Sequence, residues 1–162
     1  MEQTTVSALL HDLGRSRGHG LRHGIEGYLV ARAAGHEEEG RICLLHILKG
    51  RTLEQGVKLE MLTQQEREEL LKSGQDYSHL SLEEKVVCVA DAMMSDGGLA
   101  TIEQKYANAR SRYGALPHHD EDEAWVQGIA GELAKLLGRT PYEALSSRDD
   151  MLSVLSSLPG NC

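Results

Sequence analysis

The chain has 162 residues, no Phe, one Trp, three Pro and a formal net charge of −8. That length suits one domain with a sizeable core, and a core without Phe must be Leu, Val, Ile, Met and Ala, which favours packed helices over a sheet sandwich. The negative charge argues against general nucleic-acid or anionic-membrane binding, which need a basic surface, and no apolar run approaches the ~20 residues of a membrane span.

In chain order, Val6, Leu9, Leu10 and Leu13 mark the apolar face of a first helix that stops at Gly14. Ile25, Leu29 and Val30 mark a second, closed by Gly35, and Glu37 to Leu48 makes a third. Residues 53–62 carry a fainter helical pattern. Three capping boxes follow, Thr63 with Glu66, Ser81 with Glu84, and Thr101 with Gln104, each opening a periodic segment. The second of them opens a helix from Leu82 to Met94. Another runs from Asp120 to Leu137, and its first-turn acids oppose the helix dipole, which is also the plain reading of "HHDEDE" at 118–123. Thr140-Pro141 reads as the N-cap and first residue of a short final pair. Gly, Ser and Asp collect in loops at 14–22, 49–52, 73–80 and 95–100, with a further break at 114–119. No strand, repeat or low-complexity segment stands out. The expectation is an all-α helical bundle, a single domain over 1–162 with a motif-bearing core at 6–95 and a helical extension at 100–157.

Three apolar runs are each interrupted by metal-competent groups: His11-Asp12 in "ALLHDLGR", His46 in "CLLHIL" and Asp91 in "EEKVVCVADAMM". Val87 and Cys88 lie one turn before Asp91 and Met94 just under a turn after, which sets Asp91 on an apolar face. A buried carboxylate there needs a cation or strong donors. Taken singly, His46 reads as a hydrogen-bonded core histidine, and Asp91 as an arginine partner or helix cap. Taken together, imidazole nitrogen and carboxylate oxygen suit Fe, Mn, Co, Ni or Zn, and carboxylates can bridge two cations at about 3.5–4 Å, an arrangement that cleaves phosphoesters. Cys43 and Cys88 sit in apolar runs as small hydrophobes. With Cys162 in the tail and no C-x-x-C pair, neither a disulfide framework nor a cysteine zinc site is expected, and a reducing cytoplasm is the default location.

These residues carry a resemblance. The His11-Asp12 doublet resembles the defining pair of the HD-domain metal-dependent phosphohydrolase superfamily. The pattern continues with His23 in "HGIEG", His46 and the late Asp91, in matching order and interval over roughly residues 6–95. "HDLGRSRGHGLRHGIEG" is similar to a subgroup of small, mostly uncharacterised prokaryotic members. The resemblance implies an all-helical fold around a central metal site holding one or two divalent ions, Fe, Mn, Ni or Zn, with Mg a further candidate. His11, Asp12 and Asp91 would hold the first ion, and His23 and His46 a second, with Asp12 bridging and a metal-bound water as nucleophile. It implies a hydrolase acting on a nucleotide or small phosphoester, with a non-catalytic metal- or phosphate-binding module as the alternative.

Arg15, Arg17 and Arg22 place positive charge beside these residues in an acidic protein. They read as phosphate-binding groups, Arg15 above all, since arginine grips phosphate through paired donors. The plainer reading pairs them with Glu26 or the acids at 37–39. His19 precedes His23 by a turn but does not match the ligand position, and His36 and His79 look like loop residues. Tyr106, Arg110, Arg112 and Tyr113 share a helix that could approach the pocket. The expected partner is a small phosphorylated ligand.

Superfamily members also carry a metal-ligand His on a helix before the doublet, whereas only ten residues precede His11 here and none is His. Two expectations follow from that. The metal nearest His11 and Asp91 is weakened or absent, and the apolar face of Val6, Leu9 and Leu10 is covered by self-association or by the chain's own segment 120–157.

Overall fold

In the computed structural model the described residues are 2–18, 20–95, 97–114 and 118–147. They form an all-α fold, the helices being α1 (Glu2–Leu10), α2 (His23–Ala33), α3 (Glu37–Leu48), α4 (Leu53–Lys58), α5 (Gln64–Lys72), α6 (Leu82–Met93), α7 (Ile102–Tyr113), α8 (His119–Leu137) and α9 (Pro141–Ser146). The chain divides into two compact units, Met1–Cys88 and Val89–Cys162, and the boundary falls inside α6. None of the helices is long and apolar enough to cross a membrane, among the described residues.

Local chemistry accounts for the helix starts. Thr52, Thr63, Thr101 and Thr140 each accept from the backbone N–H three residues on, while the side chain at that third position returns to the threonine N–H. Ser81 and Glu84 make the same reciprocal pair. Each box satisfies donors that would otherwise be orphaned. The first helix ends earlier than its apolar spacing predicts. After Leu10 the chain tightens, and Leu13–Ser16 is a 3₁₀ turn. One further departure is a two-residue antiparallel ladder, β1 (Met94–Ser95) on β2 (Gly98–Leu99), paired Met94 with Leu99 and Ser95 with Gly98.

In the first unit, α2 and α3 pack face to face, with the 3₁₀ turn against α2 and α1 against α3. Glycines permit these approaches. A methyl at Gly14 would overlap the His23 carbonyl and lie 2.6 Å from the Gly27 nitrogen, and one at Gly24 would lie 2.7 Å from the Cys43 carbonyl. The glycines of "HGIEG" are therefore helix-packing positions. Around this seam Ile25, Tyr28, Cys43, Leu44, Leu45 and Leu48 form the core. The Cys43 thiol donates to the Leu10 carbonyl at 2.9 Å and is pushed up to about 12 by burial, which makes it a packing group, not a nucleophile.

Two ion pairs brace the unit. Arg41 grips Glu84 through two hydrogen bonds at 2.7 and 2.8 Å and also donates to the Asp76 and His79 carbonyls, tying the 73–81 loop to α3. Arg22 grips Glu66 at 2.7 and 3.2 Å. Burial pushes the Glu66 carboxyl upward, but Arg22 and Thr63 outweigh that and hold it below the usual glutamate range. Glu66→Ala therefore removes a cap and a paired arginine together and costs about 1–2 kcal/mol at neutral pH. Because the folded-state pKa is depressed, this contribution is whole above the ordinary glutamate pKa of about 4.3 and fades as pH falls through the folded value. Denaturant melts of both proteins at pH 7 and pH 3.5 check it: the gap between them should narrow at the lower pH.

In the second unit, Val126, Ile129 and Leu133 of α8 pack on Val89, Ala92, Met93, Ile102 and Tyr106. The buried stripe of α8 is thus committed within its own unit. The remainder of the 120–157 segment beyond 147 lies outside the described residues, as do His19 and Cys162. On α1, Leu9 is 78% exposed, while Val6 and Leu10 are partly buried.

Candidate metal centre

Asp12 stands at the entrance of the 3₁₀ turn, His23 at the first residue of α2 and His46 on α3. The Gly14 and Gly24 contacts bring these three elements close enough for one ligand atom from each residue to lie within 4.8 Å of the others. Asp12 Oδ1 is 3.2 Å from His23 Nε2 and 3.5 Å from His46 Nε2, and the two Nε2 atoms are 3.2 Å apart. Both histidines are about 95% buried, each being 5% exposed.

The ring orientations decide what this group can do. His23 Nδ1 lies 2.7 Å from the Gly20 carbonyl and His46 Nδ1 3.0 Å from the Ile42 carbonyl. A carbonyl only accepts, so both Nδ1 atoms carry a proton and donate it, and in the neutral form of this tautomer a ring turns an Nε2 lone pair inward. Asp12 Oδ1 is itself buried and has no hydrogen-bond partner. Three acceptors therefore face one another without a donor between them, an arrangement that needs positive charge at its centre. Backbone carbonyls that hold the outer ring nitrogens are also how metal-bound histidines are commonly oriented.

Electrostatics point the same way. Burial pushes His23 below the usual histidine range, against opposing help from the Gly20 carbonyl, which favours the neutral ring a cation requires. For Asp12, burial pushes upward, but contact with His46 and Arg15 and the charge near His11 outweigh it and hold the carboxyl well below the usual range. It is a carboxylate at any ordinary pH.

The remaining sequence-nominated residues fall in different places. His11 is beside the group: its Nε2 is 3.6 Å from Asp12 Oδ2, its Nδ1 donates to the Ala8 carbonyl at 2.7 Å, and its ring meets His46 edge-on at 5.2 Å. Arg15 lies on Asp12, with Nε 2.6 Å from Oδ2 and nearly half its side chain exposed. Arg17 is exposed at the end of the turn. Arg22 is turned to Glu66, a partner 44 residues away that no local spacing foretold. Asp91 belongs to the second unit, where the Lys105 ammonium is 3.5 Å from its Oδ1 and also donates to its backbone carbonyl. Arg110, from the same helix as Lys105, pairs with Glu123 at 2.7 Å.

Comparison with known proteins is consistent with this geometry. The HD domain family matches residues 1–95. An uncharacterized protein of Methanocaldococcus jannaschii is 35% identical over 95 residues, which is 58% of this chain and 50% of that protein. The chain thus spans about half the length of that relative. No solved structure matches.

Proposed function

This chain belongs to the HD domain family, and from that membership we propose that it is a divalent-metal-dependent phosphohydrolase acting on a nucleotide or small phosphoester. The observation that carries the reading is the trio of buried acceptors, Asp12 Oδ1 and the Nε2 atoms of His23 and His46, turned toward one point. Their mixed oxygen and nitrogen donors suit Fe, Mn, Ni or Zn. A divalent cation there supplies Lewis-acid chemistry, withdrawing charge from a phosphoryl oxygen and acidifying water.

The chain's own residues do the rest. Asp12 brings the negative charge that anchors the ion, and the carbonyls of Gly20 and Ile42 keep both imidazoles in the ligating tautomer. Arg15 holds Asp12 with Nε and, being half exposed, has outward donors for an anionic phosphoryl group. Arg17 on the same turn adds positive charge at the rim. His11, the other nominated ligand of this unit, lies beside the group at Asp12 Oδ2.

Metal analysis of the purified protein and a phosphoester panel test the reading. We expect a bound transition ion and phosphate release that chelation abolishes and one of Fe, Mn, Ni or Zn restores. Protein that stays inert after reconstitution with each would refute the enzyme reading. Chelation should also lower the melting temperature. An ion bound only by the folded state stabilises it by about 2.7 kcal/mol at a hundredfold excess over Kd, or about 5–10 °C for a chain of this size. Calorimetry with and without chelator, with metal loss confirmed by elemental analysis, reads this directly.

A module that binds metal without turnover is the second reading. It is favoured by the engagement of both Arg15 and Arg22 in ion pairs with carboxylates. It predicts metal binding and ligand-dependent shifts in melting, with no turnover of any panel member.

A further inference from the structure

We infer that the Arg15 guanidinium stands where a second cation would have to sit on Asp12, so that the centre takes one divalent ion per chain and the arginine supplies the other positive charge. The inference rests on the reading of Asp12, His23 and His46 as cation ligands.

A carboxylate bridges two cations by giving each of them one oxygen. The two oxygens of Asp12 face different surroundings. Oδ1 faces the inward lone pairs of His23 and His46 at 3.2 and 3.5 Å. Oδ2 faces Arg15 Nε at 2.6 Å and His11 Nε2 at 3.6 Å. The second pair of donors, His11 and Oδ2, is what another ion would need, and the guanidinium already sits on that oxygen.

The contact is written into the backbone. Asp12 and Arg15 are three residues apart across the 3₁₀ turn, with the Arg15 N–H bonded to the Asp12 carbonyl at 2.9 Å. In a 3₁₀ turn, side chains at i and i+3 eclipse, so guanidinium and carboxylate are stacked by the chain itself. Charge balance acts in the same direction. The carboxylate and guanidinium charges cancel, so the first dication already leaves the group positive. A second would add to that charge. His11 donates Nδ1 to the Ala8 carbonyl, and its Nε2 lies 3.6 Å from Oδ2.

The test uses the full chain, stripped of metal and titrated with Mn²⁺. Bound manganese per chain is counted by elemental analysis after desalting, and low-temperature electron paramagnetic resonance separates isolated from exchange-coupled ions. We expect one manganese per chain with an uncoupled signal. Arg15→Gln, which removes the charge and keeps much of the shape, should take up a second manganese at least about tenfold more tightly than the parent and show exchange coupling. Arg15→Lys, which keeps the charge, should stay at one. Two coupled ions in the parent or in Arg15→Lys, or a single ion in Arg15→Gln, overturns the inference and leaves the proposed metal centre standing. No manganese in the parent overturns the metal centre itself.

Discussion

On the proposed activity, Asp12→Ala should lower phosphoester hydrolysis by about 1,000-fold or more and remove cation binding at the His23–His46 pair. The estimate follows from what the residue supplies. Lewis-acid stabilisation by a bound ion is worth several kcal/mol, and each 1.36 kcal/mol is tenfold in rate. Two imidazoles remain in the variant, but the only carboxylate of the group, among the described residues, is gone, and with it the charge that offsets the ion's desolvation. The effect on folding of the metal-free protein has two opposed parts. Truncation relieves the desolvation of Oδ1, a buried acceptor without a hydrogen bond, but it also removes the Arg15 contact at Oδ2. Because the contacts outweigh burial in holding the carboxyl low, metal-free Asp12→Ala should melt no higher than the metal-free parent, while losing the rise in melting temperature that added cation gives the parent. Calorimetry on both proteins, with and without metal, separates loss of the centre from loss of the fold. A variant that still hydrolyses phosphoesters and still gains stability from metal would remove Asp12 from the centre.

Much of this architecture is legible in the sequence because its signals are local. Thr63 with Glu66, Ser81 with Glu84 and Thr101 with Gln104 mark helix starts through contacts three residues long, and the structure forms all three boxes. Glu37 to Leu48 is bounded as its periodicity predicts. The Met94–Ser95 and Gly98–Leu99 ladder has too few residues to show any period, and only the Asp-Gly pair at 96–97 hints at a hairpin. At the site, the order His11-Asp12, His23, His46 nominates residues that the structure gathers at the 3₁₀ turn, α2 and α3. What the sequence could not supply were partners set by tertiary packing. Arg22 reads as a phosphate ligand or a partner of Glu26 or the acids at 37–39, yet it meets Glu66, 44 residues on. Asp91 reads as a carboxylate needing a cation or strong donors, and the structure sets Lys105 beside it across 14 residues of chain. The apolar spacing of the second helix gives no role to the glycines of "HGIEG", although Gly24 and Gly27 lie within α2, where missing side chains let α2 approach its neighbours.

Gly14→Ala tests whether that close approach is what assembles the centre. The added methyl would overlap the His23 carbonyl and lie 2.6 Å from the Gly27 nitrogen. Both are backbone atoms of α2, so no side-chain rotation can make room, and the 3₁₀ turn must lift away from the helix. Overpacking a well-packed interior costs about 1–3 kcal/mol when neighbours can adjust. Here the obstacle is helical backbone, and the expected loss is about 3 kcal/mol or more, a fall of roughly 6–12 °C in melting temperature. The same displacement carries Asp12 and Arg15 away from His23, because the turn that bears them rests on α2 at Gly14. Cation affinity should therefore fall together with stability, by at least about tenfold, since metal ligands tolerate little displacement. Gly18→Ala is the matched control: it lies just after the same turn, and a methyl there meets nothing within 4 Å. It should melt and bind cation as the parent does. A Gly14→Ala protein with parental melting and parental affinity would show that the turn does not rest on α2 through this glycine, and that Asp12 reaches the imidazole pair by some other support.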